Sequence, residues 1–283
     1  MTTLDRPCHS STTLAASVQV RLPPPRDPFR AESREANPTL VIGWTRAPED
    51  PDDLARYRWR IGHQLTFCVW RLLSERLATI AMEQRPVSET VAAGIALYDV
   101  CSMLLLYAGS CSPEVYLRTI RPEMADADPA FSGRWAREYE DIPGLLRVIR
   151  RTRPTAHVAG LLAAARTNQM VHMAVGKRLV PDGPSLLRQS SRKGEHPVTD
   201  RERDTFDAFF LVKRAAVSRS KFAAQIRALA GMVADDLAER PMIGPAATWD
   251  RPAGQADLVS GFQRDASKLL RDLLHLPLER PCR

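Results

Sequence analysis

Histidines are the side chains in this sequence whose positions best suit chemistry, and there are six of them. His63 lies in the stretch RWRIGHQLTFCVWRLL. Helical spacing places Trp59, Phe67 and Trp70 on the same inward side as its imidazole. A histidine sheltered in this way can accept or donate a proton near neutral pH. The alternative interpretation is a core histidine that bonds to a backbone carbonyl.

A second histidine, His172, lies in ARTNQMVHMAVGKRLV. Its helical neighbours are Asn168, Val175, Gly176 and Leu179, so its face is apolar and is sterically open at Gly176. Such a face suits the approach of a flat macrocycle. Haem iron needs only one neutral imidazole from the protein, so a haem site requires no motif of spaced ligands.

The other chemical signals are weak. His9, His157, His196 and His275 lie in polar or terminal stretches and are expected to be solvated, although His196 could close over a site. The sequence has no GxSxG, Walker, HExxH or strand-linked GxGxxG motif. It therefore gives no support to the common types of hydrolase, nucleotide-binding protein or zinc enzyme.

Helices must position these histidines. Apolar spacing, capping residues and prolines predict helices, with one short strand possible in SVQVRL. The predicted helices span 51–83, 88–107, 112–121 (ended by Pro122), pieces within 132–151 broken at Pro143, 154–180, 199–240 (bent near Ser218) and 255–274. No repeats or βαβ alternation occur, so the fold class is all-α.

Composition limits the class of protein. We expect a Pro-rich N-terminal arm over 1–50 and one helical catalytic domain over 51–283. The net charge is +7, but acidic and basic residues are interspersed, so no nucleic-acid partner is expected. Five cysteines without CxxC spacing, and an N-terminus without a signal-peptide pattern, predict a cytoplasmic protein. The longest apolar run, Val100 to Ala108, is too short to cross a membrane.

Two stretches resemble a known family. LYDVCSMLLLYAGSCSPEVYLRTIRPEM and DPAFSGRWAREY are similar to haem-dependent L-tyrosine hydroxylases of antibiotic biosynthesis, over residues 45 to 275. The HQ pair at 63 and 64 resembles, more distantly, tryptophan 2,3-dioxygenase. The resemblance implies a tryptophan 2,3-dioxygenase-like helical haem-binding fold and haem b. It also implies that His172 is the proximal iron ligand and His63 the distal histidine.

The same resemblance implies further site residues. Val175 and Leu179 follow His172 as apolar residues do in the dioxygenase, so with Gly176 they are expected to contact the haem. Tyr116 and Arg118 resemble the dioxygenase residues that bind the substrate carboxylate, a role that suits the planar fork of arginine. Arg118 and Arg121 could instead be exposed on a short helix.

Ser185 is expected to meet the substrate amino group. Compared with the dioxygenase, Trp70 is displaced by one position and a long Gly-rich loop is shortened to GPS. Both departures favour a phenol over an indole substrate.

The predicted activity is hydroxylation of L-tyrosine at ring position 3 to give 3,4-dihydroxyphenylalanine. Hydrogen peroxide, or O2 with a reductant, would be the oxidant, and the enzyme would be a homodimer. Two alternatives stay open at this point. One is a haem dioxygenase acting on tryptophan or another indole, and the other is a helical regulatory protein whose histidines are structural.

Overall fold

Helices dominate the computed structural model, which describes residues 19–31, 46–83, 88–181, 183–190, 196–242, 255–276 and 278. The all-α prediction is confirmed, with only two short strands in the described part. The elements are β1 (Val20–Leu22), α1 (Pro51–Met82), α2 (Ser88–Ala108), α3 (Pro113–Arg118), α4 (Ile120–Ala127), two 3-10 turns (Gly133–Trp135 and Arg137–Tyr139), α5 (Ile142–Thr152), α6 (Thr155–Leu179), α7 (Leu186–Gln189), α8 (Asp200–Phe209), β2 (Val212–Arg214), α9 (Arg219–Glu239) and α10 (Gln255–His275).

Helices α1 and α2 form the centre of the molecule. They pack on each other, α1 also contacts α5 and α9, and α2 also contacts α6 and α10. An apolar helix surface that extends around the whole helix must be covered on several sides, which explains the three neighbours of α2. By length and composition α2 could also cross a membrane, which the sequence analysis did not recognise, but 67% of that apolar window is buried inside the protein.

Local capping explains where the long helices begin. The Asp50 carboxylate accepts hydrogen bonds from the backbone N–H groups of Asp52 and Asp53, and Pro51 occupies the first helical position. At α8, Thr199 and Glu202 form the reciprocal bonds of a capping box. The predicted starts of both helices are confirmed.

Two prolines act differently from the prediction. Pro122 does not end a helix, because α3 stops at Arg118 and α4 begins at Ile120, which leaves Pro122 in the first turn of α4. Pro143 likewise lies in the first turn of α5. A first-turn proline lacks only an N–H that would have no helical partner, so it starts these helices without cost.

The single helix predicted over 199–240 is wrong. After α8, Leu211 adopts a positive φ of 55°, and β2 then pairs in parallel with β1, Val20 opposite Val212. A residue with φ above zero cannot continue a right-handed helix, so the chain turns sharply there. The Gln225 amide holds β1 from the other side, accepting from the Arg21 N–H at 2.7 Å and donating to the Arg21 carbonyl at 3.0 Å.

Part of the predicted arm is therefore core. Val20 and Leu22 are fully buried in the described structure. The domain boundary at residue 50 stays a prediction, as does the specific likeness to the dioxygenase fold.

A buried ion pair joins α1 to α9. Arg58 donates to both carboxylate oxygens of Asp236, at 2.7 and 3.1 Å, and also donates to the Ser110 hydroxyl and the Arg240 carbonyl. Since both charged side chains are almost completely buried, these bonds compensate the lost hydration of both charges.

Candidate active site

His63 projects from the middle of α1, and its tautomer follows from its backbone contact. Nδ1 lies 2.6 Å from the Trp59 carbonyl oxygen, one turn earlier. Because a carbonyl oxygen only accepts, Nδ1 carries the proton and donates it, which leaves Nε2 with a free lone pair. His63 thus presents a proton acceptor on the side away from Trp59. The core-histidine bond that the sequence analysis considered is present, but it uses only one ring nitrogen.

Aromatic rings surround the imidazole on three sides. Its ring centroid is 4.4 Å from Trp59, 6.1 Å from Phe67 and 4.6 Å from Phe210, and the Phe210 ring is nearly parallel at 23°. Rings at such distances fix the orientation of the imidazole and keep water from two of its faces. The sequence-predicted aromatic face is confirmed for Trp59 and Phe67.

His63 and His172 lie within electrostatic range of each other. The pKa of His63 is lowered to about 4, chiefly by burial and to a smaller extent by His172, whereas the bond to Trp59 opposes this change. His63, on α1, is therefore neutral at physiological pH, and His172, on α6, is among the groups that act on it through space.

His172 lies on a solvent-accessible part of α6. Its side chain is exposed to solvent, yet surrounding protein lowers its pKa through desolvation. A Cβ added to Gly176, one turn later, would meet no atom within 4 Å. Met170 and Met173 expose their apolar side chains on the same helix.

These features fit a haem bound through His172. The imidazole is neutral and accessible, and the space over Gly176 is open. Among the described residues, no cluster of three or more His, Cys, Asp or Glu could hold a bare metal ion. A haem iron needs a single imidazole, so it is compatible with that arrangement.

The His172 ring makes no hydrogen bond to a described residue, and its helical neighbour Asn168 is bonded elsewhere. The buried side chain of Asn168 donates instead to the Ser102 hydroxyl at 3.1 Å, which ties α6 to α2.

Val175 and Leu179, which follow His172 by three and seven residues, are more deeply covered than His172 and Gly176. Both are buried, and a Cβ at Gly109 would overlap Val175 and lie 3.7 Å from Leu179. These residues pack α6 against the end of α2, which is a core contact. The structure does not place them on the open face with His172 and Gly176.

Of the predicted substrate residues, the structure brings Tyr116 to the site. Tyr116 is buried, and its ring centroid is 5.6 Å from that of Trp59, which in turn contacts His63. Burial raises the pKa of Tyr116 to about 12, so its hydroxyl stays protonated. Tyr116 therefore extends the aromatic wall.

The other two predicted substrate residues are not beside His63. Arg118 is mostly exposed, and its guanidinium donates to both oxygens of Asp52. Ser185 caps α7 by accepting from the Arg188 N–H at 3.4 Å. Arg121 holds the Ser185 segment in place, since it donates to the Pro184 carbonyl and the Gln189 side chain at 2.9 Å each.

Phe210 is the main site residue that the sequence analysis missed. Its carbonyl accepts a 2.8 Å hydrogen bond from the Gln64 side chain while its ring stacks on His63. Its ring also packs with those of Phe206, Phe209 and Phe131. The apolar run DAFFL was a possible signal, but only the turn at Leu211 directs Phe210 toward α1.

A separate cavity of about 310 Å³ lies at the start of α8. Its lining includes His196, Trp135, Arg134 and Glu202, and neither His63 nor His172 belongs to it. His196 therefore lines a different space, and the candidate active site is the region around His63 on α1 and His172 on α6.

The comparison with protein families decides the class. A family model described as SfmD 3-methyl-L-tyrosine peroxygenase matches residues 8–169, more than half of the 283-residue chain. The chain belongs to this family. A search of curated proteins gave no significant match.

Membership makes the protein a peroxygenase, and hence an oxidoreductase, that acts on a tyrosine-like substrate. The tyrosine-directed part of the sequence-based prediction is thereby confirmed in its coarse form. The match includes His63 but ends three residues before His172. The match therefore does not bear on His172, whose expected role as an iron ligand stays a prediction.

Proposed function

We propose that this chain is a haem-dependent peroxygenase that hydroxylates the ring of L-tyrosine or 3-methyl-L-tyrosine next to the phenol hydroxyl. With L-tyrosine the product is 3,4-dihydroxyphenylalanine. The observation that carries the proposal is membership of a peroxygenase family whose model includes His63, and the accessible imidazole of His172 beside the open space at Gly176 supports the haem assignment.

In this proposal His172 holds the iron of haem b through one ring nitrogen, and Gly176 leaves room for the macrocycle. When bound, the haem supplies the activation of the peroxide oxygen. The sum of the reaction is balanced, because one C–H bond and one molecule of hydrogen peroxide give one C–OH group and one molecule of water.

In this proposal His63 acts as the general acid–base group of the reaction. Its Nε2 is unprotonated, since Nδ1 donates to Trp59, and its low pKa keeps the ring neutral. Nε2 can therefore take a proton from hydrogen peroxide or from the phenol and return it to the departing oxygen. Trp59 and Phe210 hold the imidazole in the orientation that this transfer needs.

Aromatic walls suit a phenol substrate. A continuous set of aromatic rings lies around His63. It consists of Trp59, Phe67 and Phe210, which contact the imidazole, and Tyr116, which contacts Trp59. Such walls stack on a substrate ring and exclude water that would compete for the oxidant. They explain how a flat aromatic amino acid would be oriented beside His63.

The cellular setting is also part of the proposal. We place the enzyme in the cytoplasm, as a homodimer in antibiotic biosynthesis, with neither nucleic acid nor membrane as a partner. Among the described residues Cys68, Cys101 and Cys111 are free thiols, which is compatible with a reducing compartment.

The test is reconstitution with haem b followed by turnover. Protein with a strong Soret band is mixed with L-tyrosine or 3-methyl-L-tyrosine and with hydrogen peroxide labelled with ¹⁸O, and products are analysed by mass spectrometry. We expect one labelled oxygen in the product. A labelled product only with ¹⁸O2 and a reductant would contradict peroxide as the oxidant.

Two other outcomes correspond to the alternatives. Oxidation of tryptophan with two oxygen atoms from O2 would favour the dioxygenase. Failure to bind haem under any reconstitution condition would favour a structural role for both histidines.

A further inference from the structure

Arg60 stands beside the candidate active site without a partner for its charge. It lies on α1 one turn before His63, so the two side chains project from neighbouring positions of one helix. Its Nη1 is buried and makes no hydrogen bond. Within the described part of the chain, Arg60 forms no hydrogen bond or ion pair.

Nearby arginines on α1 are arranged differently. Arg56 donates to Asp53 at 3.0 Å and to Glu123 at 2.6 Å, and Arg58 is fully paired with Asp236. Glu123 is the acidic group that acts on Arg60 through space, but it is already bonded to Arg56. The fold therefore supplies partners to these neighbours and none to Arg60.

An unpaired guanidinium in this position is unfavourable. Burial lowers the pKa of Arg60, yet an arginine side chain keeps its charge at any physiological pH. The Arg60 side chain is partly buried, and a buried guanidinium nitrogen without an acceptor destabilises the folded protein. This destabilisation is explained if an anion binds beside Arg60 in the functioning protein.

Trp59, the preceding residue, carries a second buried donor. Its indole Nε1–H also lacks an acceptor, and the Trp59 ring contacts His63. Two buried donors on this part of α1 therefore have no acceptor among the described residues. A carboxylate, with two acceptor oxygens and a negative charge, has the matching chemistry.

We propose that Arg60 binds the carboxylate of a molecule held beside His63. This inference rests on the proposed function, which supplies two such carboxylates: the α-carboxylate of the amino-acid substrate and the propionates of the haem. Arg118, the residue predicted for this role from the sequence, already has Asp52 as its partner.

The experiment compares ligands with and without the carboxylate in the haem-loaded protein. Binding of L-tyrosine and of tyramine, which lacks the carboxylate, is measured by calorimetry for wild type, Arg60→Met and Arg118→Leu. Haem and haem dimethyl ester are titrated into the apoprotein of the same three proteins. Arg118→Leu is the matched control, because it removes an exposed arginine whose charge is already paired.

Binding of the α-carboxylate predicts that wild type prefers tyrosine over tyramine and that Arg60→Met loses this preference. A charge-assisted hydrogen bond corresponds to about a tenfold to hundredfold change in affinity. Binding of a propionate predicts that Arg60→Met weakens haem, but not haem dimethyl ester, by a similar factor. Either result supports the inference and identifies the carboxylate.

Unchanged ratios in Arg60→Met, or the same loss in Arg118→Leu, would overturn it. Arg60→Lys keeps the charge without the planar fork and should give intermediate ratios, which keeps the test decisive if Arg60→Met does not fold. Wild type that binds neither haem nor tyrosine would overturn the proposed function as well, so the two failures are distinguishable.

Discussion

The rings of His63 and Phe210 stack with their centroids 4.6 Å apart, although the residues come from α1 and from the end of α8. The neighbouring Gln64 donates to the Phe210 carbonyl at 2.8 Å. Two successive residues of α1 thus hold the ring and the backbone of Phe210. The orientation of the imidazole depends on this contact as well as on its bond to Trp59.

Phe210→Leu should reduce turnover about tenfold while haem content stays normal. The substitution keeps an apolar side chain of similar size but removes a stacked ring, and aromatic pairs contribute about 0.5–1.5 kcal/mol beyond burial. The measurement is the turnover number at saturating substrate, together with the Soret absorbance per protein. Phe209→Leu, at the adjacent half-buried position, is the control, and equal rates in both variants would show that the stack does not matter.

His63→Phe and His63→Ala should each cut turnover by about 10²–10⁴-fold, the usual contribution of a general acid–base group. Haem binding should survive, because the proposed iron ligand is on α6. His63→Phe retains aromatic bulk without either nitrogen, so a similar loss in both variants separates proton transfer from packing. Near-normal turnover by folded, haem-loaded His63→Phe would remove His63 from the mechanism.

His172→Ala should lose haem or its histidine-ligated spectrum, because α6, all of which is described, carries no other imidazole beside Gly176. Absorption spectra after haem titration measure this loss. His157→Ala is the matched control, since His157 is an exposed histidine in the first turn of the same helix. A normal spectrum from His172→Ala would assign the iron to another ligand.

The low pKa of His63 predicts how stability depends on pH. In the unfolded chain this imidazole titrates near 6.5, whereas in the folded protein it titrates near 4. Between these values the unfolded chain binds more protons, so the contribution of His63 to stability is complete above 6.5 and is lost as the pH falls toward 4.

The measurement is the melting temperature of the apoprotein at several pH values. As the pH decreases through that window, wild type should lose stability relative to His63→Phe, which cannot bind the proton. The lowered pKa of His172 affects both proteins, so the difference between them reports His63. Parallel melting curves at every pH would contradict the assignment.

Local signals explain what the sequence predicted well. Asp50 with Pro51, and Thr199 with Glu202, are capping patterns whose bonds lie within four residues, so the starts of α1 and α8 could be predicted correctly. The inward aromatic face of His63 also follows from helical spacing alone.

Features that depend on distant parts of the chain could not be predicted in this way. The break in the predicted 199–240 helix results from the pairing of residues 212–214 with residues 20–22. The local sequence at 212–214 contains no signal that predicts this strand. Whether an arginine is paired is equally a tertiary property. Arg118 and Arg60 look alike in sequence, and only the fold gives Asp52 to one and no partner to the other.

The β1–β2 pairing has a consequence for the order in which the chain folds during its synthesis. Gln225, which bonds to the Arg21 backbone from the other side of β1, lies 204 positions further along the chain. Residues 20–22 therefore leave the ribosome long before their partners exist, and the buried side chains of Val20 and Leu22 stay uncovered until most of the chain has been translated. Since closing so long a loop is slow, attachment of the N-terminal strand is expected to be a late event, after α1 and α2 have packed.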